Sequence, residues 1–287
     1  MKVYEYNEQK RTVFLKCILT GLIYAFVTCI VQVPVANVLF SILDIQSDAS
    51  IPDGMLPILL FSIFIVGVAM TLFYYLNGHL FASTSKWKQG MKFAAFVYLS
   101  NYIPQVFFLD ANKGISALIT GGFPIIQVEL FDLIILAVTV LLMVRYMPCR
   151  YHREKNTKKI IWWKCLVCGV VFAMCLFLLQ EFILPFVGFS NMASGLVVSN
   201  ENIPFFYSVM ITGFIVTGFL VSCYVYRIND VRRRKAIFVE YGVLIWCTFD
   251  LTMIPLGYGI LATILFIITS LIAFIVIRYV YGFLYRY

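Results

Sequence analysis

The sequence predicts an all-α polytopic membrane protein: eight transmembrane helices in two parallel four-helix repeats, with both termini in the cytoplasm. Three observations predict it. Hydrophobic residues fill 62% of 287 positions, charged residues fill 13%, and mean hydropathy is +0.93. A soluble domain has roughly 45–50% apolar and about 25% charged residues, so no water-facing surface can be built from this inventory. The apolar residues also come in continuous runs without alternation, which favours helices over a barrel. Finally, 21 of the 22 Lys/Arg residues fall on one side of the ladder those runs make, Lys113 being the exception. Cytoplasmic Lys/Arg bias is the strongest orientation signal a chain carries.

A helix needs about 20 apolar residues to cross the roughly 30 Å hydrocarbon core. The first four spans are drawn at 14–42, 55–81, 91–109 and 124–147, and the second four at 160–189, 203–226, 236–253 and 256–283. The third and seventh are the shortest. Ahead of the first span, MKVYEYNEQKRTVFLK has mixed charge and no small-residue cleavage site follows it, as for a retained span rather than a removed signal peptide. Tyr74, Tyr75, Trp87, Trp162, Trp163, Tyr224 and Tyr226 gather near span ends, where amphipathic rings sit at headgroup level. The eight cysteines lie in apolar runs or on the cytoplasmic side, against a disulfide framework. The net charge of +8 is spread over short loops facing anionic lipid, so no nucleic-acid partner is expected.

The two halves resemble each other in order. Lys16-Cys17, Gly21, Ala25 and Gln32 match Lys164-Cys165, Gly169, Ala173 and Gln180 at an offset of 148. Ser62, Ile65, Gly67, Thr71 and Phe73 match Ser208, Ile211, Gly213, Thr217 and Phe219 at 146. Ile103-Pro104 answers Ile254-Pro255, and Val144-Arg145-Tyr146 answers Ile277-Arg278-Tyr279. Residues 1–150 and 151–287 are therefore expected as two four-span repeats. An even number of spans in each makes them parallel, related by an axis along the membrane normal. A polar cavity is expected between them, where Gly21, Gly67, Gly169 and Gly213 permit close helix approach. The halves diverge in the connection before the fourth span of each, about 18 residues longer in the first half.

Ionisable groups inside a span are costly and are functional candidates by default. At 1.5 Å per residue, Glu181 is roughly 25 Å along its helix from Lys164 and Asp250 roughly 22 Å from Lys235. Gln180, its repeat partner Gln32, and Asn101 sit at a similar depth. A carboxylate there must take a proton, bind a cation or face water, so these five residues are the expected ligand or ion site. The competing reading is a carboxylate that reaches the outer headgroups. Asp110, Glu129 and Asp132 form an outer acidic rim that attracts cations; the last two, opening the fourth span, equally suit its helix dipole. Glu240 is expected to pair with the Arg232–Lys235 cluster.

Cys149-x2-His152-x12-Cys165-x2-Cys168 has the ligand types and gaps of a structural zinc site. Trp162, Trp163 and Lys164 place the second pair at the headgroup boundary, so apolar filling by cysteine is the favoured reading and no metal or cofactor is expected. The chain has no G-x-S-x-G, H-E-x-x-H or Walker glycine loop, the motifs that would carry nucleophilic, metalloprotease or nucleotide chemistry. The remaining readings are a carrier or permease for a small solute or cation, a non-catalytic membrane component that recruits a protein partner, and, third, a membrane-embedded lipid-modifying enzyme.

Overall fold

A computed structural model describes residues 10–32, 38, 55–102, 104, 122–149, 160–183, 185, 200–228, 230–253 and 260–285; for 31–32, 122–132, 183, 231 and 253 it describes the backbone alone. Among the described residues the regular elements are all helical. In chain order they are α1 (Lys10–Val27), α2 (Leu56–Asn77), α3 (Lys86–Val97), α4 (Gly122–Tyr146), α5 (Trp162–Leu178), α6 (Ile203–Tyr226), α7 (Val231–Tyr241) and α8 (Ile260–Leu284). A 3₁₀ turn, Gly78–Phe81, prolongs α2. The chain after α7 continues through Gly242–Trp246, a short α turn Cys247–Asp250 and a 3₁₀ turn Leu251–Met253.

Five of these helical stretches are long and apolar enough to cross a bilayer: Lys10–Ile30, Leu56–Phe81, Trp162–Phe182, Ile203–Tyr226 and Ile260–Leu284. Their outward faces carry Phe14, Leu22, Phe61, Leu166, Met174 and Ile264, side chains that only lipid solvates well. The chain is an integral, multi-pass membrane protein. In α4 the described apolar part is shorter, Leu133–Tyr146.

The helices α3 and α7 begin at residues 86 and 231, five residues before the apolar runs expected from 91 and 236. Capping accounts for the difference. Ser85 Oγ accepts the Lys88 N–H at 3.3 Å, and Asp230 Oδ1 accepts the Arg232 N–H at 2.8 Å. A side-chain oxygen that takes an orphan N–H starts a helix wherever it stands, even in a charged stretch. On α7, Arg233 Nη1 and Nη2 reach Glu240 Oε1 and Oε2 at 2.5 and 2.9 Å, the expected pairing in bidentate form.

The chain divides into two compact units. Unit one holds residues 1–95, 121–153 and 248–259; unit two holds 96–120, 154–247 and 260–287. In unit one, α1 meets α2 backbone to backbone: a Cβ on Gly67 would lie 2.8 Å from Gly21 Cα. The hydroxyls of Thr20 and Tyr146, 2.6 Å apart, link α1 to α4. Phe93 packs among Phe73, Tyr74 and Phe81, with ring centroids 5.1 to 6.3 Å away.

In unit two, α5 meets α6 in the same manner, with Gly169 against Gly218, whose Cβ would stand 2.9 Å from Gly169 Cα. Gly213, the repeat counterpart of Gly67, lies against Pro104 at 3.1 Å. Gly21 and Gly67 in one half and Gly169 in the other thus serve contacts between neighbouring spans of their own half, where the sequence placed them at an interface between halves. The core of the unit is the cluster of Phe172, Phe214, Trp246 and Phe274, with Trp246 Nε1 donating to Ser270 Oγ at 3.1 Å. Thr217 donates to the Ser100 carbonyl at 2.7 Å, and the hydroxyls of Ser100 and Tyr241 lie 2.7 Å apart.

Candidate functional site: polar residues on π turns

Among the described residues four π turns interrupt the helices: Thr28–Gln32 after α1, Tyr98–Tyr102 after α3, Leu179–Ile183 after α5 and Gly242–Trp246 after α7. A π turn takes one residue more than an α turn and bends the helix locally. Such turns are rare and concentrate at functional sites.

The residues selected by depth coincide with them. Gln32 is the last residue of the first turn, Asn101 lies in the second, and Gln180 and Glu181 lie in the third. Asp250 ends the α turn that follows the fourth. Glu181 is 6% exposed, Asp250 7%, Gln180 3% and Asn101 0%. All four are enclosed by protein.

The described geometry is fullest around Glu181. Tyr207, in the second turn of α6, donates its hydroxyl to Glu181 Oε2 at 2.7 Å. Phe177, one turn before Glu181, stands edge-on to the Tyr207 ring at 5.4 Å between centroids, and Phe182 contacts Phe177 at 5.9 Å. The carboxylate therefore sits in an aromatic frame and accepts from the Tyr207 hydroxyl. Beside it on the same turn, the buried Gln180 Oε1 has no hydrogen-bond partner among the described residues. Buried amide oxygens are almost always paired, so this one calls for a ligand or water.

Gln180, Glu181 and Asn101 belong to unit two; Gln32 and Asp250 belong to unit one. In unit one Asp250 is adjacent to Leu251, whose carbonyl accepts from Ser62 Oγ at 3.4 Å. The Gln32 side chain, Asp110, and the side chains of Glu129 and Asp132 lie outside the described residues. The backbone alone changes one reading: α4 begins at Gly122 and has no acid in its first turn. Glu129 and Asp132 are therefore too far along the helix for its dipole to explain them.

Tyr207 was missed in the sequence because a tyrosine near a span end reads as part of the interfacial girdle. A signal was available in its place on the span that directly follows Glu181, since consecutive spans usually pack together.

The Cys/His spacing does not gather into one site among the described residues. Cys149 lies in unit one, where Gln89 Nε2 donates to its sulfur at 3.5 Å and a Cβ on Gly78 would meet that sulfur at 2.6 Å. Burial pushes the Cys149 thiol pKa up, against the lowering effect of hydrogen bonds from Tyr74 and Gln89 and the charge of Lys86. Cys165 and Cys168 lie in unit two, both buried, with Cys165 Sγ 3.3 Å from Tyr285 Oη. His152 is outside the described residues. No group of three or more His, Cys, Asp or Glu side chains suited to a metal occurs among the described residues.

Compared with known proteins, the chain matches no family model, no curated protein and no solved structure.

Proposed function

We propose that the protein is a carrier for a small solute, built from two parallel four-helix repeats, with polar residues on its π turns as the groups that handle the solute. One observation carries the reading. Of the polar residues picked out by depth, Gln32, Asn101, Gln180 and Glu181 fall on π turns and Asp250 ends the α turn that follows one. Polar residues inside spans together with interrupted helices are the usual ingredients of a transporter's binding level.

The duplication draws support from several quarters. Among the described residues each half runs α then π, α, α then π, α, the first with an added 3₁₀ turn Gly78–Phe81 and the second with an added α turn Cys247–Asp250 and 3₁₀ turn Leu251–Met253. Gly90 faces Leu141 in one half and Gly242 faces Phe274 in the other. Leu141 and Phe274 are 133 residues apart, the same offset as between Arg145 and Arg278. The role of Gly67 passes to Gly218, an offset of 151 that Ile103-Pro104 and Ile254-Pro255 share. The chain leaves the first unit after Ala95 and the second after Cys247, 152 residues on.

The test is uptake by proteoliposomes holding the purified full chain, presented with a panel of small amines, amino acids, sugars and organic acids. At least one solute should accumulate, and Glu181→Gln should reduce its rate tenfold or more at equal protein content. No accumulation of any class, or the same rate in the variant, removes the proposal.

A further inference from the structure

We infer that Cys165 and Cys223 are an oxidative modification site: a dithiol that a hydroperoxide converts into a reversible disulfide bridging α5 and α6. The inference goes beyond the carrier reading and does not depend on it.

The packing of the two helices sets the pair. They run antiparallel in one register: Phe177 meets Tyr207 and Phe172 meets Phe214, with ring centroids 5.4 and 6.4 Å apart. Nearer the start of α5, Gly169 lies against Gly218 and Phe219. Cys165 stands one turn before Gly169, and Cys223 one turn after Phe219. The same register therefore sets the two cysteines opposite each other, and their thiols are hydrogen-bonded. A disulfide needs Cα atoms roughly 4.4–6.8 Å apart, closer than helix axes about 8–10 Å apart usually bring them. The glycine crossing supplies that approach, since a Cβ on Gly218 would stand 2.9 Å from Gly169 Cα.

Both cysteines are buried free thiols. Cys165 Sγ also lies 3.3 Å from Tyr285 Oη, and Lys164 Nζ donates to the Leu284 carbonyl at 2.5 Å, so the end of α8 packs against this site. Apolar filling explains cysteines one at a time, not two sulfurs in contact. Nor does a glycine crossing require the pair. Where Gly21 and Gly67 cross in the first half, α1 carries Cys17, but residues 55–81 contain no cysteine. The charge bias assigns this end of α5 and α6 to the cytoplasm, a compartment that keeps thiols reduced, so a disulfide there is transient rather than a permanent staple.

The oxidant is a hydroperoxide, small enough in the form of hydrogen peroxide to enter a closed helix contact. One sulfur takes its terminal oxygen, which becomes a sulfenic acid and releases an alcohol, or water from hydrogen peroxide. The second sulfur attacks the first, the S–S bond forms, and the hydroxyl leaves as water with the second thiol's proton. Two thiols lose two electrons and two protons, and the O–O bond takes them up. Thiol reductants reverse the step by exchange.

The test is peptide mapping by mass spectrometry of the full chain, purified reduced in detergent, treated with hydrogen peroxide, and alkylated in SDS before digestion. A peptide pair joined through Cys165 and Cys223 should appear with peroxide and disappear with dithiothreitol. Cys168→Ser should leave it intact, and Cys165→Ser or Cys223→Ser should abolish it. The oxidised parent should also unfold at a higher temperature than the reduced parent, a readout that needs no variant to fold. Cys165 and Cys223 both recovered as thiols, Cys165 joined to Cys168, a link between two chains, or each sulfur oxidised separately to sulfinic acid would overturn the inference. So would a copper or zinc ion held by the two thiols that blocks the link until a chelator removes it.

Discussion

Tyr207 and Glu181 are 26 residues apart, yet the phenol of one donates to the carboxylate of the other at 2.7 Å. The bond ties the second turn of α6 to the π turn that ends α5. The carboxylate is buried and the phenol packs edge-on to Phe177, so the bond helps to hold both groups in place. Interhelical bonds of this kind in membranes average about 0.6 and reach about 1.7 kcal/mol. Tyr207→Phe should destabilise the protein within that range, read as the shift in thermal unfolding in a fixed detergent. A variant as stable as the parent would show that the bond contributes nothing to the fold.

Gly169 is the residue that α5 can least afford to enlarge. A methyl there would stand 2.5 Å from the Ile215 carbonyl and 3.0 Å from the Phe219 nitrogen, and backbone atoms cannot step aside. Gly169→Ala should cost about 1–3 kcal/mol as overpacking. Gly282→Ala is the control, because its nearest neighbour is Lys235 Cε at 3.2 Å, the far part of a flexible chain. Unfolding midpoints that drop equally for both would refute the close crossing of α5 and α6.

Ser100 and Tyr241 share a buried hydroxyl pair at 2.7 Å, and Ser100 also donates to the Phe96 carbonyl at 2.6 Å. The two residues should therefore be energetically coupled. A cycle of Ser100→Ala, Tyr241→Phe and the double variant should return a coupling of about 0.5–1.7 kcal/mol. Strict additivity would mean that the hydroxyls do not bond.

The Cys149 thiol should be slow to alkylate. The thiolate is the nucleophile, and burial raises this thiol's pKa, so less thiolate is present at neutral pH. Reaction with iodoacetamide, followed by mass spectrometry of the Cys149 peptide, should speed up only at pH values above those for the SDS-denatured chain. The sign for stability is the same: a raised pKa favours the fold at low pH, and that contribution fades as pH climbs through the thiol's ionisation. Equal rates in native and denatured protein would contradict the burial.

The charge bias predicts that the Arg232–Lys235 segment and the C-terminus face the cytoplasm. A cysteine placed at Arg232, in a background with the native cysteines replaced, should resist an impermeant maleimide in intact cells and react after lysis. Labelling from outside would reverse the orientation.

Much of the fold was legible because lipid imposes one rule on every span: twenty-odd apolar residues with all backbone bonds made locally. The sixth span, expected at 203–226, matches α6 to the residue. The helices α2 and α8 match the expected second and eighth spans within a few residues, while the described apolar part of α4 is only Leu133–Tyr146. Where the third and seventh spans are expected, the helices α3 and α7 begin earlier because capping by Ser85 and Asp230 acts whatever the hydropathy. The site was legible in part. Depth counting picked out Gln180 and Glu181, since an ionisable side chain in an apolar run stands out against its neighbours. It could not find Tyr207, which looks like any interfacial aromatic.

The sequence by itself determined that the chain lives in a bilayer, that its elements are helices, and which few polar residues are buried within them. These follow from solvent physics and 1.5 Å of rise per residue, both local. Only the tertiary structure decided that Gly218 is the glycine that meets Gly169, and which side chain holds Glu181. Apolar helices of similar composition can pair in many registers. Hydropathy is blind to the choice, and close packing of backbones with the pairing of buried oxygens makes it.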